Sequence, residues 1–250
     1  MNKDIPRFDH TAFADYLSSF LVIGHRGAAG LAPENTLPSF RKALDLGCRA
    51  IELDVHAVRD AEDTTQLMVI HDDTVQRTTN GKGLVSDHTF EQLTKLDAGD
   101  GNPIPRLTEV TALVAQHFAD ARPLINIELK GKETAAPTAR FLQAHPELAV
   151  LVSSFNHREL GAFRALDETT PIAPLFERAR ASMLDTASAL GASCVNVSQR
   201  MVKPGLIEQC NDAGFPVWVY TVNQLHEAQR LKALGVGGVF TDRPDVLMAL

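Results

Sequence analysis

Residues 37–55 read Leu37-Pro38-Ser39-Phe40-Arg41-Lys42-Ala43-Leu44-Asp45-Leu46-Gly47-Cys48-Arg49-Ala50-Ile51-Glu52-Leu53-Asp54-Val55. Leu37, Phe40 and Leu44 fall at three- and four-residue spacing, the apolar face of a helix. Gly47 then stands where a helix ends in the left-handed region, a conformation glycine adopts without steric cost. The run 50–55 that follows is short and apolar, as a buried strand is. The pairs Leu190-Gly191, Ala213-Gly214 and Leu234-Gly235 repeat the helix–glycine–strand unit. A unit of this kind, repeated, predicts parallel strands joined by helical crossovers.

Candidate strands lie at 22–25, 50–55, 67–71, 124–129, 150–153, 171–175, 194–197, 217–221 and 238–241. A (β/α)8 barrel takes roughly 250 residues, and the chain has 250. The expected fold is therefore α/β, a TIM-type barrel forming one domain over residues 1–250. Nine strands are one too many for it. Only the polar stretch 59–66 separates 50–55 from 67–71, so these two read as a hairpin. Residues 72–105 break the alternation with turn-rich Thr78-Thr79-Asn80-Gly81-Lys82-Gly83 and Gly99-Asp100-Gly101-Asn102-Pro103, around a short helix at 89–95. An insertion of that length in a barrel reads as a small cap.

Composition sets the limits on partners. With 24 basic and 31 acidic residues the net charge is −7, which argues against nucleic acid as a partner. A local anion site remains compatible with that balance, because a metal or two basic side chains can reverse the field. Cys48, Cys194 and Cys210 form no CxxC pair and suit buried positions in a reducing compartment. Residues 1–20 have no long apolar core, and Leu21-Val22-Ile23 is too short for a leader or a span. The expectation is a cytoplasmic protein without a membrane anchor; the sequence sets no oligomeric state.

Alternation along a strand puts Glu52 and Asp54 on one face, and likewise Asn126, Glu128 and Lys130. Carboxylates buried without counter-charge are costly. Three converging from two strands suit a hard divalent cation, Mg²⁺ or Ca²⁺; the plainer alternative is a network paired with Lys130 or Arg26. His25 ends the first strand, and the hairpin returns His71 to the level of Glu52 and Asp54, so the two can serve as general acid and base. The other seven histidines carry no such placement. Arg26 offers a fork of donors and Lys130 a point charge, both suited to phosphate. No GxxxxGK[ST], dinucleotide glycine fingerprint or GxSxG is present.

In order, His25-Arg26-Gly27, Pro33-Glu34-Asn35-Thr36, Ile51-Glu52-Leu53-Asp54-Val55, His71-Asp72, Thr79-Asn80-Gly81-Lys82-Gly83, Asn126-Ile127-Glu128-Leu129-Lys130, Tyr220-Thr221-Val222-Asn223 and Thr241-Asp242-Arg243-Pro244 resemble the glycerophosphodiester phosphodiesterase family. The resemblance implies a barrel of the phospholipase C-like phosphodiesterase type with a small inserted cap. It implies metal-dependent hydrolysis of glycerophosphodiesters to sn-glycerol 3-phosphate and an alcohol, through attack by water or by the glycerol 2-hydroxyl. Carried onto this chain, it makes Glu52, Asp54 and Glu128 the metal ligands, His25 and His71 the acid/base pair, and Arg26 and Lys130 phosphate contacts.

Two features depart from the family pattern. Asp60-Ala61-Glu62-Asp63-Thr64-Thr65 replaces a compact Asp-Gly turn, and Tyr220 stands where the family often has Trp. Trp218, two residues earlier on the same face, is expected either to wall the glycerol pocket or to pack in the barrel core. Glu34, Asn35 and Thr36 read as the cap of the helix that follows. Rival readings are a barrel phosphodiesterase acting on acylated lipids, a metal-dependent lyase or isomerase, and a silent binding module. The first would call for an apolar rim, the second leaves the paired histidines unexplained, and the third would call for a missing ionisable group.

Overall fold

A computed structural model describes residues 8–117 and 122–250. The strands are β1 (Leu21–Gly24), β2 (Ala50–Arg59), β3 (Thr65–Val69), β4 (Leu124–Leu129), β5 (Val150–Ser154), β6 (Ile172–Phe176), β7 (Val195–Ser198), β8 (Val217–Tyr220) and β9 (Gly238–Thr241). The helices are α1 (His10–Leu17), α2 (Leu37–Asp45), α3 (Phe90–Leu93), α4 (Leu107–His117), α5 (Ala135–Ala144), α6 (His157–Leu166), α7 (Met183–Leu190), α8 (Pro204–Asp212), α9 (Leu225–Ala233) and α10 (Pro244–Leu247). Strand β1 pairs in parallel with both β2 and β9, which closes an eight-stranded barrel of β1, β2 and β4–β9. The remaining strand, β3, is antiparallel to β2 and outside the closed ring. This is the hairpin the polar stretch at 59–66 predicts. At its tip Asp60 accepts from the Glu62 and Thr64 amides at 3.0 and 2.8 Å.

The helix–glycine–strand units fold as read: Gly47, Gly191, Gly214 and Gly235 all take positive φ. Strand alternation then divides the core in two. Ile51, Leu53, Val55, Ile125 and Ile127 point outward and pack with Phe40, Leu44, Leu107 and Val110 of the surrounding helices. Ala50, Leu124, Leu151, Ala173 and Cys194 fill the lower part of the barrel interior, and Phe240 packs above them. All three cysteines are buried and unpaired.

Helix α1 has no counterpart among the sequence expectations. Asp9 caps it, accepting from the Thr11 and Ala12 amides at 2.9 and 3.1 Å. Its Phe13 and Tyr16 join the interior cluster, so α1 plugs the end of the barrel where the strands begin. The Phe13 ring lies 5.8 Å from that of Trp218, and the Tyr16 hydroxyl donates to the Arg122 carbonyl. Residues 1–7, part of the N-terminal stretch read as neither leader nor span, lie outside the described residues. Among those that are described, no helix is long and apolar enough to cross a membrane.

The segment at 72–105 has a small core of its own, in which Val75, Val85, Leu93, Ala98 and Ile104 pack on Val58, Met68 and Ile70. Within it, Thr89 and Gln92 form a reciprocal capping box at the start of α3. The Phe13 plug should matter for stability and not for chemistry. Phe13→Ala is expected to cost about 3–5 kcal/mol, read by urea unfolding with Trp218, the only tryptophan, as the fluorescent probe.

Candidate active site

The charged residues expected to carry the chemistry, His25, Arg26, Glu52, Asp54, His71, Glu128 and Lys130, gather at the end of the barrel where the strands finish. The register aligns Glu52 with Asn126 and Asp54 with Glu128 across β2 and β4. Oxygens of Glu52, Asp54 and Glu128 lie within 4.8 Å of one another, and all three residues are buried. Lys130 reaches back from the end of β4, its Nζ 2.5 Å from Glu128 Oε1 and 3.5 Å from Asp54 Oδ1.

The turn after β1 takes positive φ at Arg26 and Gly27. A Cβ on Gly27 would meet the Ser39 backbone at 2.5 Å, so only glycine fits there. The turn aims the Arg26 amide at Glu52 Oε2, at 2.9 Å, and sets its Nε 3.3 Å from Asp54 Oδ2. Asn35 Nδ2 donates to the same Asp54 oxygen at 2.9 Å.

These contacts set the charges. Burial, with the Asp54 and Glu128 charges beside it, pushes Glu52 well above the ordinary carboxylate range. Burial also pushes Glu128 up to about 7, against the pull of Lys130. Burial opposes ionisation of Asp54 as well, but Lys130 and Arg26 outweigh it and hold that carboxyl low. Glu52 Oε1 and Asn126 Oδ1 are buried and accept no hydrogen bond from the described residues. An all-oxygen donor set with an orphaned carboxylate oxygen fits a hard divalent cation.

His25 and His71 are held alike. His25 Nδ1 lies 2.6 Å from Asp242 Oδ1, and His71 Nδ1 lies 2.6 Å from Asp72 Oδ1. An Nδ1–H donated to a carboxylate leaves the Nε2 lone pair free. Burial lowers the His71 pKa, favouring the neutral ring. Both rings line a cavity of about 170 Å³ together with Arg26, Glu52, Asn126 and Glu128. Phe155, Leu175, Tyr220 and Phe240 give the same cavity apolar surface. The Phe155 ring is exposed, with Lys130 Nζ 5.5 Å from its centroid.

Three sequence expectations need correction or completion. Trp218 is fully buried among Phe13 and Phe240 and does not line the cavity; Tyr220, one turn of the pleat further on, does. Glu34, Asn35 and Thr36 do not cap α2 by side chain. Glu34 binds Arg26 and Arg77, Asn35 binds Asp54, and Thr36 Oγ1 donates to the Pro33 carbonyl. Asp72 and Asp242 received no role from the sequence, although each stands in a quoted motif, Asp72 directly after His71 and Asp242 directly after Thr241, the last residue of β9.

A closed α/β barrel whose mouth gathers buried carboxylates, two cationic side chains and two carboxylate-held imidazoles has the make-up of a phosphoric diester hydrolase. Residues 25–246 match the Glycerophosphoryl diester phosphodiesterase family. The chain is 35% identical over 243 residues to a glycerophosphodiester phosphodiesterase of Caldanaerobacter subterraneus subsp. tengcongensis, an alignment covering 92% of this chain and 97% of that one. It is 35% identical over 246 residues to one from Bacillus altitudinis, covering 90% and 95%. The solved structure of an Oleispira antarctica phosphodiesterase in complex with the product sn-glycerol-3-phosphate superposes with a TM-score of 0.84 at 28% identity, covering 92% of this chain and 95% of that one. The chain belongs to the glycerophosphoryl diester phosphodiesterase family and is an enzyme of that class.

The raised Glu128 has a measurable consequence in metal-depleted protein. A carboxyl that keeps its proton up to about 7 when folded, but loses it near 4.5 when unfolded, costs the fold stability as pH rises between those values. Glu128→Gln cannot ionise. Its stability relative to wild type should rise across that window by on the order of 1–3 kcal/mol, measured by urea unfolding in chelator. A flat difference would mean that Glu128 is ionised throughout.

Proposed function

We propose that the chain hydrolyses glycerophosphodiesters to sn-glycerol 3-phosphate and an alcohol, using His25 and His71 as its acid/base pair. The observation that carries this is the placement of two imidazoles, each held at 2.6 Å by an aspartate, on a cavity that Glu52 and Glu128 of the acidic cluster also line. Glu52, Asp54 and Glu128 would hold one divalent cation, Mg²⁺ or Ca²⁺. Bound there, the ion supplies Lewis-acid withdrawal of charge from a phosphate oxygen.

The protein's own groups do the rest. Arg26 and Lys130 neutralise the phosphate oxygens as charge builds on them. One imidazole takes the proton of the attacking hydroxyl at Nε2. The other, protonated at Nε2, gives its proton to the oxygen of the departing alcohol. Asp72 and Asp242 fix the ring tautomers and stabilise the imidazolium each ring becomes. Tyr220, Phe155 and Leu175 give the glycerol carbons an apolar wall. A cavity of about 170 Å³ is below the roughly 300–1,000 Å³ of pockets that enclose a whole ligand, so the leaving alcohol extends toward solvent. Residues 1–250 act as one domain, with 72–105 as a cap beside the mouth. Three unpaired buried cysteines suit a reducing, cytoplasmic setting.

The test is release of sn-glycerol 3-phosphate from glycerophosphocholine, glycerophosphoethanolamine and glycerophosphoglycerol. Turnover is expected in Mg²⁺ or Ca²⁺ and should vanish in excess chelator. His25→Ala and His71→Ala should each lose about 10²–10⁴-fold in kcat with an unchanged unfolding midpoint. Near-normal turnover by either variant would remove the acid/base assignment, and chelator-resistant hydrolysis would remove the cation.

A further inference from the structure

The two histidines are held alike, but what stands behind their aspartates differs. Asp242 is fixed by a neutral amide: Asn223 Nδ2 donates to its Oδ2 at 2.7 Å, and Asn223 Oδ1 accepts from its backbone N–H at 2.9 Å. Asp72 is fixed by a cation instead. Arg77 donates from Nε to Asp72 Oδ2 at 2.6 Å and from Nη2 to Oδ1 at 2.9 Å. The same guanidinium also meets Glu34, Nη1 to Oε2 and Nη2 to Oε1, both at 2.8 Å. Glu34 Oε1 in turn accepts from Arg26 Nη1 at 2.7 Å. An unbroken line of contacts thus runs from His71 through Asp72, Arg77 and Glu34 to Arg26.

We infer that Arg77 is a positioning residue that sets the His71 ring and the Arg26 guanidinium together, one through Asp72 and the other through Glu34. This rests on the roles given above to His71 and Arg26. Among the described residues, hydrogen bonds to the Asp72 carboxylate come only from His71 and Arg77, and those to the Glu34 carboxylate only from Arg26 and Arg77. Each carboxylate therefore has one partner in the cavity and Arg77 as its only anchor outside it. The Arg77 side chain is 46% exposed, and ion pairs at that exposure add little to stability. Four hydrogen bonds committed there point to geometry as their purpose.

Only arginine can hold both carboxylates. Its planar guanidinium presents two edges of fixed donors, whereas lysine offers a single point charge. Without Arg77, Asp72 is free to swing from the His71 ring, which loses its fixed tautomer. Glu34, no longer shared, pulls Arg26 toward itself and away from the phosphate. The first loss falls on kcat, the second on KM. Arg77 lies in the 72–105 segment, so this is also how that segment reaches the chemistry. Its place behind His71 is the one Asn223 takes behind His25, with a second arm added.

The experiment makes Arg77→Met and Arg77→Lys in three backgrounds: wild type, Asp72→Asn and Glu34→Gln. Steady-state hydrolysis of glycerophosphocholine is measured in each. In wild type, Arg77→Met should lower kcat about 10²-fold and raise KM, with an unfolding midpoint close to wild type. Arg77→Lys should recover little of either, since one point charge cannot serve both carboxylates. In Asp72→Asn the further kcat loss should shrink to within about twofold, and in Glu34→Gln the further KM rise should do the same.

A readout independent of turnover accompanies this. The His71 Nδ1–H proton resonance should be visible in wild type and broaden away in Arg77→Met, while that of His25 persists. Folded Arg77 variants with wild-type kcat and KM, or losses that multiply in full in both backgrounds, would overturn the inference. An unaltered His71 resonance in Arg77→Met would overturn it too. Failure of the wild type to turn over any glycerophosphodiester, with the resonance still lost, would instead strike the proposed reaction and leave the positioning role standing.

Discussion

Three carboxylates buried within 4.8 Å of one another repel, and the repulsion grows as water is excluded. Nearly every other feature of the barrel mouth answers that constraint. Lys130 is placed between Glu128 and Asp54. Arg26 bends through a left-handed turn to give its backbone N–H to Glu52 and its guanidinium to Asp54. Even so the compensation is incomplete, since Glu52 and Glu128 remain raised and Glu52 Oε1 accepts no hydrogen bond from the described residues. A divalent cation there would supply the missing counter-charge and take the place of the protons these carboxyls otherwise keep.

The barrel makes this arrangement possible by dividing its labour. Outward-facing Ile51, Leu53 and Val55 supply packing against the helices, which frees the inward positions of the same strand for Glu52 and Asp54. At the opposite end, Phe13, Tyr16 and Trp218 close the interior with aromatic bulk. The interior is therefore apolar at one end, while the other gathers charge at the cavity, as is usual for this architecture.

Much of this was legible in the sequence because it depends on local periodicity. The helix–glycine–strand unit at 37–55 marks the barrel, and period-two alternation puts Glu52 with Asp54 and Glu128 with Lys130. What was not legible depends on contacts between distant segments. Helix α1 has only a brief apolar face, and its position follows from the opening it fills. Glu34 and Asn35 carry the residue types of a helix cap, yet Arg26, Arg77 and Asp54 claim their side chains first. Trp218 and Tyr220 share a strand face, and only depth in the barrel separates a core residue from a cavity residue. Asp72 and Asp242 were adjacent to the right positions, but adjacency says nothing of which nitrogen a carboxylate meets.

The β2–β3 hairpin imposes a different kind of order. Val55 pairs with Val69, and the Ile70 amide donates to the Asp54 carbonyl at 3.1 Å, so the base of the hairpin fixes the height of His71 above Asp54. Five residue pairs further out, the turn at Asp60 is closed by its own side chain. The strut and its tip are thus mechanically separate. Residues 60–64 can change in length or composition while His71 keeps its station, which is how so acidic a turn is carried without disturbing the imidazole. A one-residue shift within β3 would have the opposite effect, because it turns each side chain to the other face of the strand.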